Sequence, residues 1–349
     1  MPSWWPKGIA TLLLALGLWS GAGAQMVGPA PKRLVAADLG LVVNLSDPYS
    51  VAVGEYYVQQ RGLEAGQVLY VELPVKPVLS LAEFEPLQAQ IRKAFGSSTR
   101  ALALAWAQPY AVECNGITAA VSLGFDPEIC RASCNPSKPS PLFGKPLPTV
   151  QVEEGLRPSM LLAARTVEAA KALIDRGVAA DRQLGKRGVP AAHAVFVSTA
   201  DKARNVREPL FPVAAAVPAL GLQMDRVQSG PGDALPRVIL YQTGAVREEH
   251  MQRIQWLPGA LADHLTSFGG RLLDAQGQMS VLDWLEAGAT ASYGTVSEPC
   301  NHQQKFPHPS LLLAHYAAGA TAVEAYWRSV AWPAQGVFVG EPLAAPFGR

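Results

Sequence analysis

The chain has 349 residues, with 29 Lys and Arg against 28 Asp and Glu and 49% hydrophobic residues. A formal charge of +1 provides no concentrated basic surface of the kind nucleic-acid binding needs, so no nucleic-acid partner is expected. The length and apolar content suffice for one large α/β domain or two smaller ones.

Residues 1–24 predict an export signal. Lys7 supplies the positive end, Ile9 to Leu18 the apolar run, and Ala22-Gly23-Ala24 the small-residue cleavage site. The run is about ten residues, short of the roughly 20 that span a bilayer as a helix. A cut after Ala24 is expected, leaving no membrane span and a periplasmic or secreted product. Cys114, Cys130, Cys134 and Cys300 are an even set, suited to two disulfides in an oxidising compartment, with the connectivity left open.

Over residues 33–107 strands and helices alternate. Leu34 to Leu45 predicts a buried strand that stops at Ser46-Asp47-Pro48, followed by a helix capped by Ser50 and running to Arg61, with Gly62 at its end. Val68 to Leu73 predicts the next strand. Ser80-Leu81-Ala82-Glu83 is a capping box, and Phe84, Leu87, Ile91 and Phe95 keep helical spacing behind it. Ala101 to Trp106 is a third buried strand.

Residues 108–156 break this rhythm with three cysteines, an Asn115-Gly116 turn and a Pro-rich run from Pro136 to Pro148, read as a disulfide-pinned excursion or an interdomain hinge. Asp126-Pro127 predicts a helix start, with Cys130 and Cys134 on one helical face and Cys114 as the near partner. The alternation returns over 157–349. Strands are expected at 160–164, 193–198, 238–242, 257–266 and 336–339. Thr166 and Thr321 are expected to cap helices, and Ser280 to Glu286 to form a short one. The predicted fold class is α/β, a three-layer sandwich with a mainly parallel sheet.

Gly288 to Cys300 reads as a small-residue strand ending in a polar turn of Ser297, Glu298, Cys300, Asn301 and His302. Ligands in open parallel sheets bind beyond the carboxyl ends of strands, which makes this turn the expected site. Asn44, Ser46, Asp47 and Ser50 would line the same crevice if the first strand is central, although Asp47 and Ser50 equally suit turn and cap chemistry. Lys305 is a candidate cation over the site.

The order of a strand ending in Thr243-Gly244, one ending in Ser267-Phe268-Gly269, the Gly288 to Gly294 strand, a helix with Glu324-Ala325 and a closing Gly340-Glu341-Pro342-Leu343 resembles the C-terminal half of gingipain-type cysteine peptidases. That resemblance implies a caspase-like fold for 157–349. Three marks are similar to an uncharacterised family of exported bacterial proteins: Asp47-x-x-Ser50, Leu173 to Gly177, and Gly294 to Pro299. By the peptidase resemblance the catalytic His falls near Thr243 and the Cys near Ser267, so the dyad is expected to be absent.

A replacement dyad has two candidate places, Cys300 with His302, oriented by Glu298, or Ser267 served by His264. Against the first stands the ordinary role of Cys300 as half of a disulfide. Against the second stands Asp263-His264 as a simple strand pair. Glu298, Cys300, His302 and His308 lack paired metal-ligand spacing, and no phosphate-binding glycine pattern occurs, so no metal or cofactor is expected. Two functions remain open: a non-catalytic binding protein for a peptide or glycan, with Asn44, Asp47, Thr243, Asn301 and Lys305 as ligand-facing residues, or a hydrolase with a relocated nucleophile.

Overall fold

The computed structural model describes residues 33–147, 156–186, 188–228, 232 and 234–348. The expected export signal over residues 1–24 lies outside them. The strands are β1 (Leu39–Asn44), β2 (Val68–Val71), β3 (Val78–Leu79), β4 (Ala101–Leu104), β5 (Ala111–Val112), β6 (Asn115–Gly116), β7 (Ser159–Leu161), β8 (Ala192–Ser198), β9 (Ala215–Val217), β10 (Leu222–Gln228), β11 (Leu235–Thr243), β12 (Ile254–His264), β13 (Ala291–Thr295) and β14 (Gly336–Gly340). The helices are α1 (Pro48–Arg61), α2 (Leu81–Ala94), α3 (Ile117–Leu123), α4 (Pro127–Arg131), α5 (Val167–Ala180), α6 (Val281–Ala287), α7 (Pro309–Ala317) and α8 (Ala322–Ser329).

Eleven strands form one sheet in the order β2-β1-β4-β7-β14-β13-β12-β11-β8-β10-β9, and β3, β5 and β6 form a small second sheet. Two apolar layers sandwich the large sheet. Val53 and Tyr57 of α1, Ile174 of α5, Tyr316 of α7 and Trp327 of α8 pack on one face. Phe84 and Ile91 of α2, Ile117 of α3 and Trp284 of α6 pack on the other. Full burial of each large apolar side chain contributes about 1.5–3 kcal/mol. The fold is the expected α/β sandwich.

Strand direction is where the fold departs from a single parallel sheet. The strands β2, β1, β4, β7 and β14 are mutually parallel, and β13, β12, β11, β8 and β10 form a second parallel set. At the seam β13 runs antiparallel to β14, from Ala291 opposite Gly340 to Thr295 opposite Gly336. The two sets therefore end on opposite edges of the sheet. Apolar periodicity reports which face is buried and carries no information on strand direction.

Local chemistry corrects two expected caps and pairings. Asp47, not Ser50, caps α1 by accepting from Tyr49 N at 3.0 Å, because Pro48 takes the first helical position. Ser50 Oγ instead accepts from Asn44 N at 2.8 Å. The helix α4 ends at Arg131, so Cys130 and Cys134 share no helical face. They pair separately, Cys114 with Cys130 and Cys134 with Cys300.

The carboxyl end of β14 is locked by a buried charge cluster. Arg61 grips Glu341 with two bonds, Nε to Oε1 at 3.0 Å and Nη2 to Oε2 at 2.6 Å, while Tyr57 donates to Oε1 at 2.7 Å. Arg61 Nη1 also reaches Asp181 at 2.7 Å. Gly177 is required beside this cluster, since a Cβ there would lie 2.6 Å from Glu341 Oε2. Removing one partner of a buried pair leaves the other charge uncompensated. Glu341→Ala should therefore cost roughly 3–5 kcal/mol in urea unfolding, and a loss no larger than that of an ordinary surface substitution would show that the cluster does not hold the fold.

Candidate functional site

The carboxyl ends of β13, β12, β11 and β8 lie side by side on one edge, and that edge carries most of the sequence-predicted site residues. Beyond β13, Glu298 Oε1 accepts from Cys300 N at 2.8 Å, and Gln335 Nε2 donates to Glu298 O at 2.8 Å and Ser297 Oγ at 2.9 Å. Ser297 Oγ in turn donates to Cys114 O at 2.7 Å, tying the turn to the excursion. Cys300 and Asn301 both adopt left-handed backbone, with φ of 57° and 59°. The His302 ring packs edge-on against Trp332, with centroids 5.8 Å apart. Lys305 is fully buried, and its ammonium donates to Ser133 O.

Thr243 and His264 are register partners at the ends of β11 and β12, and Ser267 follows in the next loop. Thr295 Oγ1 donates to Thr266 O at 3.2 Å and Ser267 O at 2.9 Å, which joins this loop to the β13 turn. Ser267 is half-buried. Nearby, Arg271 lies over the Phe268 ring at 4.5 Å and donates to Val296 O at 2.8 Å.

Neither expected nucleophile–base pair is assembled. Cys300 has no thiol, because its sulfur is bonded to Cys134, and a disulfide sulfur is neither a thiolate nor a proton donor to His302. His264 is sealed in the core with both ring nitrogens engaged. Trp284 Nε1, a donor only, bonds His264 Nδ1 at 3.0 Å, which leaves Nε2 as the protonated nitrogen donating to Met279 O at 3.0 Å. No lone pair is free to take a proton from Ser267. Burial also lowers the imidazole to about 4, with the Met279 hydrogen bond opposing.

Asn44 and Asp47 are not brought to this site. Asn44 ends β1 and Asp47 follows it, and β1 belongs to the oppositely directed set, about 24 Å from β12 at ~4.8 Å per strand. The Asn44 amide is committed to the backbone: it donates to Leu73 O at 3.1 Å and accepts from Leu73 N at 2.8 Å and Ser46 N at 3.2 Å. Their grouping with the Glu298 turn is corrected by strand direction. Asn301 and Glu298 stay exposed at the turn, Lys305 is enclosed, and Thr243 Oγ1 is buried without a hydrogen-bond partner among the described residues.

Sequence reading missed Arg207, which is buried beneath this edge and bonds Asp263 Oδ1 at 2.7 Å, Pro307 O at 3.0 Å and Thr243 O at 3.2 Å. Gln242 Nε2 donates to Asp263 Oδ2 at 2.8 Å. Burial pushes the Asp263 carboxyl up, opposed by Arg207 and Gln242. Arg207 sits in an irregular polar segment with no periodicity, and only Asp263, a charge inside an apolar strand, signalled that a cation must lie opposite. Among the described residues, no group of three His, Cys, Asp or Glu side chains is placed to hold a metal ion.

No family model and no curated protein matches the chain. Among solved structures it is similar to the Arg-specific cysteine proteinase gingipain R, at 11% identity over 91% of this chain and 79% of that one, with a TM-score of 0.47. It is also similar to a complex of Porphyromonas gingivalis RgpB pro- and mature domains, at 11% identity over 88% and 79%, with a TM-score of 0.39.

The sealed imidazole gives the protein an acid limb. Unfolded, His264 takes a proton near pH 6.5, whereas the folded chain refuses it until about pH 4. The unfolded state thus binds more protons in that window, and stability is complete above pH 6.5 and falls as pH drops toward 4, by up to about 3 kcal/mol from this residue. Half-buried His315, also lowered to about 4 by burial, adds the same sign. In His264→Gln, whose amide can meet both Trp284 and Met279, urea midpoints should fall less steeply over this range. An unchanged slope would show that His264 is not neutral in the folded chain.

Proposed function

We propose that this chain is a non-catalytic binding protein of the envelope or extracellular space, with its ligand site on the edge beyond the carboxyl ends of β11, β12 and β13. The observation that carries this reading is that both candidate nucleophiles lack what they need: Cys300 is in a disulfide, and His264, the base expected for Ser267, is bonded at both nitrogens. What remains accessible suits recognition. Ser267, Phe268 and Arg271 are half-exposed and offer a hydroxyl, an aromatic face and a guanidinium fork in one loop. A peptide or a glycan presents the matching polar and apolar groups. Two disulfides support an oxidising compartment, and no described helix is long and apolar enough to cross a membrane.

The test is a pair of measurements on the purified protein. A fluorophosphonate probe and iodoacetamide should leave the native chain unmodified, and peptide and glycan arrays should give ligands whose affinity falls by about tenfold in Arg271→Ala, the size expected for one charge-assisted contact. Fluorophosphonate on Ser267, lost in Ser267→Ala, would overturn the binding reading in favour of a serine hydrolase.

A further inference from the structure

Lys305 is fully buried, yet no carboxylate lies within ion-pair distance of it among the described residues. A buried ammonium has three donors to satisfy, and this one is bonded to a single carbonyl, Ser133 O. Burial lowers it to about 8, with Glu298 opposing.

Its one described partner belongs to an accessible segment. Residues 132–136 are half-exposed or exposed, and they contribute no large apolar side chain. Their described links to the rest of the chain are the Ala132 N to Glu128 O bond at 3.0 Å, which closes α4, the Lys305–Ser133 bond and the Cys134–Cys300 disulfide, since the Asn135 N to Ala132 O bond is internal. The chain is fastened again only at Lys138, whose N donates to Asp126 Oδ2 at 3.2 Å, and at Ser140, whose N donates to Ala331 O at 2.8 Å. On the other side of the disulfide, Cys300 and Asn301 are held in left-handed backbone that residues with a Cβ disfavour. Cys134 is exposed, so a thiol can reach the bond.

We infer that the Cys134–Cys300 disulfide is a reducible clasp that keeps Lys305 buried, and that opening it converts Lys305 into an exposed, reactive amine beside the β13 turn. Electrons come from a small dithiol. Its thiolate attacks one sulfur of the clasp, its second thiol closes the reagent's own disulfide, and its two protons end on the sulfurs of Cys134 and Cys300. With the clasp open, only the Lys305–Ser133 bond holds residues 133–136 beyond the end of α4 at Ala132, and hydration of the Lys305 ammonium competes with it. The Cys300–Asn301 backbone relaxes in the same step.

The experiment is a brief pulse of N-hydroxysuccinimide acetate on the full chain at neutral pH, before and after limited reduction with dithiothreitol, with each lysine and cysteine mapped by peptide mass. Acetylation of Lys305 should rise by about tenfold or more when Cys134 and Cys300 are free thiols, while exposed Lys93 is unchanged, as local opening requires. The pair Cys134→Ser with Cys300→Ser should match the reduced protein, and Cys114→Ser with Cys130→Ser should leave Lys305 protected. If the first pair does not fold, hydrogen exchange across 132–136 and 300–305 in partly reduced wild type gives the same readout. Lys305 that stays unlabelled with both thiols free, or that labels only together with the rest of the core, overturns the clasp.

Discussion

The antiparallel seam between β13 and β14 is the constraint on which the rest depends. Five residue pairs, all buried, join two parallel sets that run in opposite directions. Phe338 packs there against Tyr293 at 4.9 Å and stacks on Trp327 at 4.5 Å, so the seam is also a centre of aromatic packing. Because ligand sites of parallel strands form at carboxyl ends, reversing direction at the seam divides the molecule into two unlike edges. One carries the Arg61–Glu341 cluster. The other carries the Glu298 turn and the Ser267 loop.

Buried charge is handled on both edges by the same means. Arg61 meets Glu341 in a two-pronged pair backed by Tyr57, and Arg207 meets Asp263 backed by Gln242 and two backbone carbonyls. A buried ion pair adds little net stability over an apolar pair of the same volume, but each partner makes loss of the other expensive. These pairs fix which loop lies over which strand end. Arg207 thereby anchors the segment 205–210 beneath Thr243 and Pro307, and Arg61 anchors the chain after β14 beneath α1 and α5. Lys305 has a carbonyl in place of a carboxylate, which makes its enclosure the weak point of the edge.

The candidate site illustrates how geometry decides between roles that sequence leaves equal. His264, next to Asp263 and three residues from Ser267, reads as a base until Trp284 fixes its tautomer and Met279 O accepts the hydrogen bond from Nε2. Cys300 and His302 are two residues apart, which suggests a dyad. The turn places the sulfur on Cys134 and the imidazole on Trp332 instead. Asn44, a polar residue at a strand end, resembles a ligand contact, yet its amide replaces backbone bonds between β1 and the chain after β2.

By itself the sequence determined the layers. Apolar spacing in Phe84, Leu87 and Ile91, the capping boxes at Ser80 and Thr321, and the all-buried runs of β1, β4 and β13 specify helices and doubly covered strands through local physics, and each forms as expected. It also marked the β13 turn as polar and the cysteines as paired. Strand direction, the partners of Cys134 and Cys300, the tautomer of His264 and the placement of Arg207 were decided only by tertiary structure. Each depends on groups between 20 and 166 residues apart in the chain, and local spacing carries no record of which distant group will arrive.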